Sequence, residues 1–221
     1  MKNIHFLITV FLLFSCDPKD ESIDFLEPQP NNIDNSKSFN KHYRGYYKNA
    51  NNNSTLLILN DKIIKSTKIQ MVSSRNDIDS SFKGDKYDNK QIESALEKEN
   101  ITVDRFVGDS IYSTWTFKDT IFRISDQNLC RFYKGSYFLN YTYDQMRWKV
   151  QRLDLDKNKL TMSMIMPNDS LFEELPVRDK CIIKYDSAVI KSYQIKPSKQ
   201  ELKRLVKNNS FKEWDVWIKE K

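Results

Sequence analysis

Histidine is nearly missing from this chain: there are two among 221 residues, and His42 is the only one past the first ten positions. A single imidazole with no second His or Cys at ligand spacing makes no zinc site. Glycine is scarce as well, at four residues, and no Gly-x-Ser-x-Gly elbow, phosphate loop or dinucleotide fingerprint occurs. Charge of one sign is also missing. The net charge is +6, but 30 acidic residues are interspersed among 36 basic ones. That mixture describes a solvated surface rather than the clustered footprint of a nucleic-acid binder. Asp154-x-Asp156-x-Asn158 imitates the start of a calcium loop, yet Lys159 stands where that loop needs Gly and Ile165 where it needs Glu. It reads as the polar tip of a hairpin. Paired carboxylates for glycosidic chemistry need only proximity in space, and nothing in the sequence points to them. These absences give no metal or cofactor to expect and favour a non-catalytic protein.

What is present begins at the N-terminus. Lys2 precedes an apolar run, residues 4–14. A bilayer-spanning helix takes about 20 residues, so this run has the length of a signal-peptide core instead. It closes on Leu13-Phe14-Ser15-Cys16, which resembles the lipobox of bacterial lipoproteins, with Phe14 where the family usually carries a smaller residue. The resemblance implies that residues 1–15 are removed, that the Cys16 thiol takes a diacylglycerol, and that the new amine is acylated, typically with palmitate. Two or three such chains hold a protein to a bilayer where one is marginal. An ordinary secretory peptide with an incidental Cys16 is the plain alternative. Asp17-Pro18-Lys19-Asp20-Glu21 resembles the export signal of Bacteroidetes surface lipoproteins, and reads equally well as a charged, solvated linker. The expected address is the envelope, as an outer-membrane lipoprotein, on either the periplasmic or the surface side.

From Asp17 to about Asn40 the chain is rich in Asp, Asn, Ser and Pro and has no sustained apolar period. It reads as a flexible tether, so the expected layout is a lipidated tether over 16–40 and one domain over 41–221. The chain's 39% hydrophobic and 13% aromatic content predicts a packed core. Cys130 and Cys181 could pair in an exported protein, although two unpaired thiols in strand-like runs are the preferred reading.

Residues 54–59 and 62–72 read as a hairpin about Asn60-Asp61-Lys62. Further on, turn-like residues recur at Gly108-Asp109, Lys118-Asp119, Asp126-Gln127-Asn128, Gly135, Asp144-Gln145, Lys157-Asn158 and Pro167-Asn168-Asp169. Turns spaced roughly 8–12 residues apart mark an antiparallel meander. Alternation agrees: Ile111, Ser113, Trp115 and Phe117 share one side, as do Tyr137, Leu139, Tyr141 and Tyr143, and Leu160, Met162, Met164 and Met166. Two helices are predicted. One spans 90–99, with Asp88 as N-cap and Gln91 closing a capping box, and the other is begun by Ser198 and Glu201. In the second, Leu202, Leu205 and Val206 face inward while Lys199, Lys203, Arg204 and Lys207 face out. A last strand alternates Trp214, Val216 and Ile218 against Asp215, Trp217 and Lys219. The class is all-β, mainly antiparallel.

The order of elements over about 42–219 resembles the lipocalins: a Gly-x-aromatic first strand, a long meander, one helix, one strand. The family's motif is Gly-x-Trp, and here Gly45-Tyr46-Tyr47 takes its place. The resemblance implies an up-and-down barrel with a C-terminal helix, here with one short inserted helix over 90–99. The segment 73–99 interrupts the expected meander. In such a barrel Trp115, Phe117, Tyr137, Leu139, Tyr141, Trp148, Met162 and Met164 would point into the lumen. They would either bind a hydrophobic or amphiphilic small molecule or fill the barrel as a core. The expected partners are therefore the lipid bilayer through Cys16, and an apolar small molecule or another envelope protein, including a toxin if the chain is an immunity protein.

Overall fold

The computed structural model describes residues 22–81, 86–144, 147–166, 177–185 and 188–220, with backbone only at 22, 143–144, 177–185 and 188–192. The signal peptide, Cys16, the charged cluster 17–21, the Cys181 thiol and the turns expected at Gln145 and at 167–169 lie outside the described residues. Among the described residues thirteen strands and three helices follow in this order: β1 (Ser22–Phe25), β2 (Gly45–Asn49), β3 (Ser54–Ile58), β4 (Lys62–Ser74), α1 (Arg75–Ser81), α2 (Asn89–Glu97), β5 (Ile101–Val107), β6 (Ser110–Arg123), β7 (Asn128–Tyr133), β8 (Ser136–Asp144), β9 (Arg147–Asp156), β10 (Lys159–Ile165), β11 (Val177–Tyr185), β12 (Ala188–Ile195), α3 (Lys199–Lys207) and β13 (Phe211–Lys219). The strands form one large, mostly antiparallel sheet that is not closed. Its order is β11-β12-β1-β9-β10-β13-β2-β3-β4-β6-β5, with β8 and then β7 joined to β9. The all-β class read from the turns holds.

Local chemistry explains most boundaries. Lys134 and Gly135 both take positive φ, 49° and 85°, which a tight β7–β8 hairpin turn requires. Gly45 opens β2 at φ 130°, and a Cβ there would stand 3.1 Å from Cε of Lys219. Both capping boxes form: the Asp88 side chain accepts from the Gln91 backbone and Ser198 from that of Glu201, each with its reciprocal bond. One turn does not form. Lys118 and Asp119 lie inside β6, a single strand of 14 residues, which stays exposed here and so accommodates polar side chains without reversing. The polar stretch after β4 holds α1, which buries no residue.

Residues 22–40 differ from the expected tether. β1 pairs in parallel with β12 and meets Trp148 of β9, burying Ile23 and Phe25. Asp24 is buried beside Nζ of Lys149 at 3.4 Å and Nη1 of Arg147 at 3.7 Å. Asn140 exchanges two bonds with the Gln29 backbone, of 2.6 and 2.9 Å. Arg131 donates to the carbonyls of Pro28 and Pro30 at 2.6 and 2.7 Å. Composition conceals this segment because single apolar residues, Ile23, Phe25 and Phe39, anchor it with no repeating period. Its backbone bonds to side chains and carbonyls of elements far along the chain.

Within the stretch read as one domain, the described residues cluster into two compact units. Ser66–Asp119 form the smaller, and the rest form the larger. β4 and β6 each contribute one end to either unit. The smaller unit packs Ile92 and Leu96 of α2 against Ile111 of β6, with Ile78, Tyr87, Ile101, Val103 and Phe106 partly buried around them. The larger unit has two clusters. One gathers Tyr47, Leu56, Ile58, Ile63, Phe122, Cys130, Tyr137, Leu139, Leu153, Leu160, Met162 and Trp217, plus Phe39 and Tyr43. The other holds α3 through Leu202 and Leu205 against Ile23, Phe25, Phe138, Val150, Ile195 and Phe211, among others. β8 serves both clusters: Tyr137 and Leu139 enter the first and Phe138 the second, as the two faces of a strand should. Among the described residues no helix is long and apolar enough to cross a membrane.

Candidate functional site

The eight side chains read as lumen-facing do not line one space. Tyr137, Leu139 and Met162 sit in the first cluster of the larger unit, at most 1% exposed. Tyr141 packs beside that cluster, its ring 5.0 Å from that of Phe122 and its hydroxyl donating to Oε1 of Gln151 at 2.8 Å. Trp148 is half-buried against the second cluster. Met164 is half-buried on β10, beyond an irregularity in the β10–β13 register at Met162 and Ser163. Trp115 and Phe117 belong to the smaller unit, where their rings meet at 5.8 Å and Phe117 is 47% exposed.

The interior of the larger unit is rich in aromatic rings, and three of its tyrosine hydroxyls are hydrogen-bonded to backbone groups. The Tyr137 ring lies 5.1 Å from Phe39, 4.8 Å from Tyr43 and 4.7 Å from Phe132. Its hydroxyl accepts from the Asn40 N–H at 2.7 Å. Tyr43 donates to the Gly135 carbonyl at 2.6 Å, and Tyr47 to the Tyr43 carbonyl at 2.5 Å. Burial, aided by the charge of Asp154, pushes the Tyr43 hydroxyl up to about 12. Burial also raises Tyr47, Tyr137, Tyr141 and the free Cys130 thiol. An apolar setting favours the neutral phenol and the neutral thiol, the forms that pack without a charged partner. The Trp217 indole N–H, fully buried, has no hydrogen-bond partner among the described residues.

No three His, Cys, Asp or Glu side chains among the described residues converge on a point that could hold a metal. His42 is exposed, near Tyr43, and its carbonyl accepts from Nζ of Lys219. Asp154 and Asp156 end β9 at a hairpin tip, as their spacing suggested. Asp154 is tied to Arg152 at 2.7 Å and to the Ser136 hydroxyl at 2.5 Å.

Comparison with family models, with curated proteins and with solved structures gives no match. One feature of the larger unit was invisible to sequence reading. Where α3 crosses β7, β8 and β9, a groove of about 50 Å³ opens between Tyr133, Lys134, Ser136 and Arg152 on the sheet and Leu202, Lys203 and Val206 on the helix, with Phe138 as floor. It has room for a few water molecules. The lysines of α3 were legible as a solvated helix face, but their neighbours across the groove come from residues some seventy positions earlier in the chain.

Proposed function

We propose that this chain is a lipid-anchored protein of the cell envelope, held by Cys16, whose sheet curls into a filled, lipocalin-like barrel and whose surface recognises another envelope component. The observation that carries the surface reading is the packing around Tyr137, Leu139, Met162 and Trp217, each at most 1% exposed. A ligand-holding lumen leaves its wall accessible from within, whereas side chains packed this closely leave no water-sized space beside them. The barrel reading is supported by the first cluster, which draws side chains from β2, β3, β4, β6, β7, β8, β9, β10 and β13. A single sheet supplies such a cluster without a second layer only by curling around it. Tyr47, in the place of the lipocalin Trp, is fully buried in that cluster. An apolar guest, the other reading of the same side chains, would have to displace them.

Detergent-phase partitioning and native mass spectrometry test both halves. The native chain is expected in the detergent phase and Cys16→Ser in the aqueous phase; equal partitioning sinks the anchor. The Cys16→Ser protein is expected at its bare mass. A lipid-sized adduct that disappears with Met162→Lys in a folded variant would reinstate the ligand-binding barrel.

A further inference from the structure

We propose that the outward face of α3 and the lysines flanking its groove rest on the anionic phosphate surface of a lipid bilayer, forming a second membrane contact beside the acyl anchor. This inference rests on the anchored reading of Cys16. Its first support is the placement of charge. Between positions 196 and 212 stand Lys196, Lys199, Lys203, Arg204, Lys207 and Lys212 against one acid, Glu201, so this short stretch carries most of the chain's net charge of +6. α3 turns that excess to one side. Leu202 and Leu205 are buried, while Lys199, Lys203, Arg204 and Lys207 are exposed. Across the groove the ammonium groups of Lys134 and Lys199 both stand close to the Tyr133 ring, at 5.7 and 5.2 Å from its centre. Two acids and one further pair temper the surface. Asp154 neutralises Arg152 at 2.7 Å, Glu201 caps the backbone of Ser198, and Lys196 is paired with Glu27 at 3.2 Å. The cations left to a bilayer are those of α3 together with Lys134.

The second support is reach. Ile23 and Phe25 share a hydrophobic cluster with Leu202 and Leu205, so the start of β1 and α3 are rooted in one core. Five residues, 17–21, separate Cys16 from Ser22, a span that at full extension reaches about 20 Å. α3, with nine residues, is itself about 13 Å long. An acyl chain on Cys16 therefore holds the bilayer within a short distance of this core. Basic groups next to an anionic surface are attracted strongly, and the attraction fades within a Debye length.

The test uses the Cys16→Ser chain with its leader removed, so that no acyl chain contributes. It is sedimented at low salt with vesicles of phosphatidylcholine, either pure or containing one-third phosphatidylglycerol. Binding is expected to the anionic vesicles only, and to vanish at high salt. The combined variant Lys199→Gln, Lys203→Gln, Arg204→Gln, Lys207→Gln is expected to bind about tenfold more weakly or worse. Glutamine keeps helix propensity, and a retained unfolding transition checks that the variant folds. Replacing Lys199, Lys203 and Lys207 by Arg should restore binding. A control that removes the same charge from the smaller unit, Lys86→Gln, Lys90→Gln, Lys98→Gln, Lys118→Gln, should bind like the parent. Equal loss in that control, no binding by the parent, or unimpaired binding by the α3 variant would each overturn the proposal. The assay contains no lipidated protein, so it fails independently of the detergent-partitioning test of the anchor.

Discussion

Among its described residues the smaller unit buries Ile92, Leu96, Ile111 and Ser113, while in the larger unit a single strand, β8, is buried on both faces from Ser136 to Asn140. Both units are built from strands of similar composition, rich in β-branched and aromatic residues. The difference is coverage. In the smaller unit α2 offers two buried side chains, Ile92 and Leu96, one turn apart. The sheet beneath is dry at Ile111 and Ser113, half-wet at Trp115 and open at Phe117. Along β6 the alternation runs on into Phe117, which the described residues leave open. In the larger unit α3 packs on one side of β8, and side chains from neighbouring strands gather on the other. Alternation fixes which side chains share a face, and a second layer decides whether that face is a core.

The sharpest way to break this comparison is to cut one residue from each core. Trp217→Ala is expected to destabilise the larger unit by about 3–5 kcal/mol, and Ile92→Ala the smaller by about 2 kcal/mol, since a rim this open partly collapses into the void. Urea unfolding followed by amide exchange would assign each loss to its own unit. If both variants shift one common transition by the same amount, the two units are a single cooperative body and the comparison fails. Trp217→Phe sharpens it further. It keeps most of the ring volume and removes an N–H that has no partner among the described residues, so its cost should fall well below that of alanine.

Alkali should act on the larger unit through its aromatic stack. Tyr43 is held up to about 12, chiefly by burial, and Tyr47, Tyr137, Tyr141 and Cys130 are raised by the same cause. The folded chain keeps these protons where the unfolded chain has released them, so unfolding releases protons and is favoured as pH rises. For Tyr43 the contribution is intact below about pH 10, the ordinary phenol value, and is lost as pH climbs through its folded value of about 12. Melting temperatures between pH 8 and 12 should fall steeply above pH 10. Tyr43→Phe, which loses the bond to the Gly135 carbonyl, should start about 1 kcal/mol lower at neutral pH yet fall less steeply. An unchanged slope would show that this phenol does not carry the effect.

Much of this arrangement was legible in the sequence, and the limits of legibility follow the range of the forces involved. Capping boxes, hairpin turns and strand alternation are contacts within a few residues, and Asp88, Ser198, Gly135 and Asn158 all do what their positions suggest. The segment 22–40 was misread because its order is imposed from afar, by Asn140 and Arg131 on strands a hundred residues later. Lys118-Asp119 differs from its reading as a turn because polarity signals exposure, and an exposed strand and an exposed turn look alike in sequence. Of the eight candidate side chains, Tyr137, Leu139 and Met162 share the interior, while Trp115 and Phe117 belong to another unit. Alternation assigns a face within a strand and says nothing about which core that face meets. The groove beneath α3 was invisible for the same reason, being made by Lys134 and Arg152 meeting a helix that begins at Lys199.

The smallest effect in the comparison tests whether identical local chemistry acts identically in the two units. Asp88→Ala and Ser198→Ala each remove the side-chain half of a capping box, a change of about 1 kcal/mol on the helix concerned. α3 is anchored by two residues buried in an extensive cluster, so its loss should be shared by the whole larger unit and appear as a small shift in global unfolding. α2 buries two residues as well, but against a thin rim, so its loss should appear locally. Amides of α2 would exchange faster while the global transition stays in place. Amide exchange on both variants reads this directly. Equal protection loss in the two helices would mean that the local cap, and not the layer beneath it, governs how each helix opens.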